Sequence, residues 1–95
     1  MRIVLNDNSL GEAVSFSKGI LQVILPVAFA PGSPVLMRTA SEPSFPLEGR
    51  VVIVQRTEQG QFDTKVRLIN LRREHRQALD GFLSNAPSTA ERTES

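Results

Sequence analysis

The stretch from Pro46 to Asn70, PLEGRVVIVQRTEQGQFDTKVRLIN, constrains the fold more than any other part of the chain. In its second arm Phe62, Thr64, Val66 and Leu68 alternate with Asp63, Lys65 and Arg67, the period-two pattern of a strand with one buried and one wet face. The first arm is less regular. Leu47, Val51 and Ile53 share a face, Glu48 and Arg50 lie opposite, and Val52 and Val54 make that opposite face apolar further along. Its far half therefore reads as covered on both sides. Between the arms lies RTEQGQ, where Gly60 can supply a positive φ, so the two arms are expected to form an antiparallel hairpin with a loop of several residues.

A chain of 95 residues accommodates one domain, and a domain this small buries only about 60–65% of the surface its unfolded chain exposes. Its net stability is expected to be modest, about 4–12 kcal/mol. With no cysteine and a single histidine, neither a disulfide nor a zinc site is expected to brace it. The net charge of +1 gives no general attraction to nucleic acid or anionic lipid. The apolar run Ile3 to Leu5 is stopped by Asn6, Asp7 and Asn8, too early for a signal-peptide core. ILQVILPVAFA is about half the length of a membrane span and contains Gln22 and Pro26. The expectation is a soluble cytoplasmic protein.

Along the chain, RIVL reads as a short strand ending at NDNS. Leu10 to Phe16 carries scattered apolar residues with no readable period. ILQVIL, from Ile20 to Leu25, is β-rich and stops at Pro26, which cannot donate to a ladder. PVAFAPGSP is a turn-rich connector, Val35 to Arg38 a further strand, and ASEPSFP another loop. Only LRREHRQALDGFL reads as helix, with Leu71, Ala78, Leu79 and Phe82 as its apolar stripe and Asn70 as its N-cap. Arg72 and Arg73 stand in its first turn, where the helix dipole favours negative charge. SNAPSTAERTES has almost nothing to bury and reads as a disordered tail over 84–95, leaving a single domain over 1–83. Several strands followed by one terminal helix suit a small, mainly β antiparallel barrel, or a strongly curved sheet, closed by that helix.

The series SFSKGILQV, PVAFAPGSPVLMR, PLEGRVVIVQRTEQG and VRLINLRREHRQALDGFL resembles the bacterial PilZ domain in content, order and spacing, over roughly Leu5 to Leu83. Each piece is weak by itself; the joint order carries the resemblance. It implies a six-stranded PilZ-type barrel with one C-terminal α-helix. Many members of that family are receptors for cyclic di-GMP. An upstream RxxxR grips phosphates and stacks on guanine, and a [DN]xSxxG turn hydrogen-bonds a guanine edge. Two phosphodiester charges call for planar bidentate guanidinium donors.

This chain departs from both motifs. Arg2 is followed four residues later by Asn6. Ser17 and Gly19 match family positions in the turn, but Ser15 stands in place of the acidic or amide residue and Ile20 in place of the motif glycine. Each charge-assisted contact is worth about 1.5–3 kcal/mol, so losing two arginines removes about two to four decades of affinity. Ser15, Ser17 and Gly19 thus mark a vestigial nucleotide turn, and no cofactor is expected. The resemblance then implies a non-enzymatic adaptor acting through contacts with a protein partner, in the manner of motif-degenerate family members in motility or type IV pilus regulation.

Arg72, Arg73 and Arg76 form the candidate protein-docking patch, against the plainer reading of a solvated helix face. His75 reads as a helix-surface or boundary residue, and Phe16 and Phe29 as core. One histidine, no cysteine, no phosphate loop and no suggestive carboxylate pair leave little for an enzyme. Two alternatives remain open: a cyclic di-GMP receptor with a degenerate site, and a small β-barrel that binds nucleic acid. The second calls for exposed aromatic platforms and a basic groove, whereas the chain has five Phe, no Tyr and no Trp.

Overall fold

The structure, a computed structural model, describes residues 1–40 and 44–84. Six strands form a closed antiparallel barrel: β1 (Arg2–Leu5), β2 (Leu10–Ser17), β3 (Ile20–Leu25), β4 (Pro34–Thr39), β5 (Pro46–Arg56) and β6 (Phe62–Ile69). They follow one another in the order β1-β2-β3-β6-β5-β4, and β4 pairs back onto β1. A short helix α1 (Arg73–Leu79) continues into a π-helical turn, Asp80–Ser84. The expected mainly β barrel with one C-terminal helix is therefore the fold.

Local chemistry accounts for the tight connections. Lys18 and Gly19 both have positive φ, 53° and 79°, which matches the primed turns that join two strands through two residues. Asn8 at φ 73° closes the β1–β2 turn, with its N–H donating to the Leu5 carbonyl at 2.9 Å. Gly60 at φ 83° does the same for β5–β6, its N–H donating to the Thr57 carbonyl. The connector before β4 is fastened to β5: Gly32 N–H donates to the Val51 carbonyl, and Val51 N–H to the Ser33 carbonyl.

Leu10–Ser17, which has no readable period, is a strand whose inward positions are taken by Gly11 and Ala13 while Leu10 and Val14 face out. Small residues inside and aliphatic ones outside erase the hydrophobic contrast on which periodicity depends. A bulge between Ala13 and Ser15 then shifts the phase.

The expectation that the far half of the first hairpin arm is covered on both sides is corrected. Val52 is an extra residue in the β5–β6 ladder, because Val51 pairs with Val66 and Ile53 already with Lys65. The bulge flips the inward set from Leu47 and Val51 to Val54, and leaves Val52 and Ile53 exposed at 40% and 47%. On β6 the alternation holds, with Thr64, Val66 and Leu68 buried.

The barrel is filled by Ile3, Leu21, Val23, Leu25, Leu47 and Val66, among others. The two hydroxyls buried among the described residues are satisfied: Thr39 Oγ1 accepts from Phe45 N–H at 3.0 Å, and Thr64 Oγ1 donates to the Phe62 carbonyl. Phe16 is buried and Phe29 packs partly buried against the core.

The helix differs from expectation at both ends. Asn70 is not its N-cap; it sits at φ 54° in the left-handed region, which asparagine tolerates. Arg72 occupies the cap position without a capping side chain. At the other end the wider π turn rotates Phe82 out of the stripe, to 52% exposure, while Leu83 is buried as Leu79 is. Burying Leu79 and Leu83 contributes about 1.5–3 kcal/mol each. The expected tail, from residue 85 on, lies outside the described residues, and Ser84 belongs to the π turn.

Candidate functional site

The turn that holds Ser15, Ser17 and Gly19 is built by the ends of β2 and β3. Ser15 and Ser17 are β2 residues, Gly19 is the second turn residue, and Ile20 begins β3 in register with Ser17. The positive φ thus falls on Lys18 and Gly19, one step before the position where the family motif has its last glycine, and Ile20 is an ordinary ladder residue. The Gly19 carbonyl is taken by Leu68 N–H at 2.9 Å.

Ser15 is engaged as well. Its hydroxyl donates to Gln22 Oε1 at 3.1 Å, and Gln22 Nε2 donates to Asp63 Oδ1 and Oδ2 at 3.1 and 3.0 Å. An ionised carboxylate only accepts, which fixes the orientation of the Gln22 amide. A polar ladder therefore crosses β2, β3 and β6 next to the turn. Gln22 and Asp63 could not be linked from sequence, because their meeting depends on the β3–β6 pairing of distant segments. Arg2, at the first position of the would-be arginine motif, lies across from Glu12 on β2, with its Nε 3.9 Å from Glu12 Oε1.

The three helix arginines divide into two kinds. Arg76 sets its guanidinium over the Phe16 ring, 5.7 Å from the centroid, a cation–π contact that fastens α1 to the end of β2. Beside it His75 stacks on Phe45, with centroids 4.2 Å apart and planes at 8°. His75 is thus a boundary residue, half-buried against an aromatic ring. Arg72 and Arg73 are exposed. Arg72 Nη1 lies 3.6 Å from Glu74 Oε2, and the two side chains are 71% and 67% accessible, where such a pair adds little stability.

A shallow groove of about 360 Å³ lies between the β1–β2 turn, Phe29 and Leu36. Its acid, Asp7, is held below its ordinary value of 3.8, chiefly by the backbone N–H of Ser9, which donates to Oδ1 at 3.0 Å. With that carboxylate already bonded, the groove offers no convergent set of polar groups. Among the described residues no three acids, histidines or cysteines cluster as metal ligands, and no helix is long and apolar enough to cross a membrane. Set against protein-family models, curated proteins and solved structures, the chain has no match in any of the three.

Proposed function

We propose that this chain is a PilZ-like domain that works as a cytoplasmic, non-enzymatic adaptor in bacterial motility or type IV pilus regulation. It acts through protein contacts and does not hold cyclic di-GMP. The observation that carries this reading is the state of the turn. Ser15, at the position of the family's guanine-binding acid or amide, is bonded to Gln22, and Ile20 replaces the glycine that would let a ligand approach the backbone. The six-stranded barrel with one terminal helix is the architecture the resemblance implies, which supports it further.

Arg72 and Arg73 are the helix residues best placed to meet an acidic partner. They gain nothing from the helix dipole and are exposed, whereas Arg76 is occupied by Phe16. The test is capture of proteins from the native cell by the intact domain, compared with the double variant Arg72→Glu/Arg73→Glu. A protein retained by the first and lost by the second, at an unchanged thermal midpoint, is the expected outcome. Equal retention by both, or a fall in the midpoint, would assign the two arginines no part in docking.

A further inference from the structure

The outer face of β3, β6 and β5 holds a cationic cluster that neither the turn nor the helix uses. The register aligns its side chains in rows: Ile20, Arg67 and Arg50 side by side across the three strands, then Gln22, Lys65 and Ile53. Arg50, Lys65 and Arg67 are all exposed. Arg50 and Arg67 are directly opposed, which puts their Cβ atoms about 4.5–5.5 Å apart and makes like charges repel. No described carboxylate forms an ion pair with any of the three. The nearby acids are turned to other partners, Asp63 to Gln22 and Glu48 to Asn70 Nδ2 at 3.5 Å.

Two features prepare this cluster for a ligand. Arg50 Nη1 donates to the Gly32 carbonyl at 3.0 Å, so its guanidinium is positioned while its other N–H groups stay free. The β5 bulge turns Val52 and Ile53 outward next to Lys65, giving the cations an aliphatic border.

We infer that this face is a docking surface for an acidic protein segment that carries aliphatic side chains among its carboxylates. The inference rests on the reading of the chain as a protein-contacting domain, and adds the surface and the chemistry of its partner. Carboxylates would take the opposed arginines in planar, charge-assisted pairs and remove their mutual repulsion. Aliphatic side chains would cover Ile20, Val52 and Ile53. A polynucleotide fits less well, because the face has no aromatic side chain on which to stack bases.

The test titrates a synthetic peptide of glutamate and leucine, arranged in adjacent pairs, into the isotopically labelled chain, followed by NMR. Expected are saturable shifts at Arg50, Ile53, Lys65 and Arg67, and a loss of affinity of about tenfold or more in Arg67→Glu. Arg67→Glu should leave the thermal midpoint unchanged or raised, since it converts an opposed like-charge pair into an attractive one; Lys65→Glu gives an independent second variant. Absence of binding would overturn the inference, as would equal binding by Arg67→Glu and Lys65→Glu or by a peptide with glutamine for glutamate. So would shifts gathered on α1, or tighter binding at this face by oligothymidylate or phosphatidylglycerol vesicles. Saturable binding of cyclic di-GMP would instead sink the adaptor reading while leaving the peptide result standing, so the two failures are distinguishable.

Discussion

Gly49 leaves no room for a side chain against β6: a Cβ there would run into the Arg67 carbonyl and lie 2.7 Å from Val66 Cγ1. Backbone cannot move aside as a flexible side chain can. Gly49→Ala is therefore expected to cost about 1–3 kcal/mol by overpacking, read as a lower urea midpoint; an unchanged midpoint would mean the two strands are further apart. The Asp7 carboxyl is held below 3.8 by Ser9, so the contact stabilises above that value and is lost as pH falls through the lower folded one. Carbon-detected NMR should place the Asp7 midpoint below 3.8; a midpoint at or above it would deny the Ser9 bond. Neither residue declared its role in sequence, since a glycine inside a strand and an aspartate in a turn each have several common explanations.

The C-terminal element shows how a change of helical pitch rewrites a stripe. The expected stripe puts Phe82 inside; with the π turn Phe82 is half-exposed and Leu83 is the buried residue. Leu83→Ala is expected to cost about 2–5 kcal/mol, whereas Phe82→Ser should change the unfolding free energy by less than about 0.5 kcal/mol. Calorimetry on both variants decides the matter, and equal losses would restore the regular helix. The strands that could be read, β1, β3, β4 and β6, either alternate regularly or form short apolar runs bounded by Pro or polar residues. Those that resisted, β2 and the far half of β5, each contain a bulge. A bulge shifts the phase by one residue, and its position is set by the partner strand, which no local window contains.

At the scale of the whole molecule, closure decides how the chain can meet anything else. Each strand has two neighbours, β1 being joined to both β2 and β4, so the described strands offer no free edge to which a partner could add a strand. Among the described residues, the surfaces left for contact are the outer faces of the strands, the turns and α1. The candidate site was only partly legible: Ser15, Ser17 and Gly19 fall together at one turn, but the Gln22–Asp63 ladder and the Arg50–Arg67 pair exist only once distant strands are in register. The proposed adaptor role requires that the turn hold no cyclic dinucleotide. Its most direct test is a titration of cyclic di-GMP into the labelled chain, watching the amides of Ser15, Ser17 and Gly19. The account predicts no saturable shift at these amides; saturation at low micromolar ligand would contradict it.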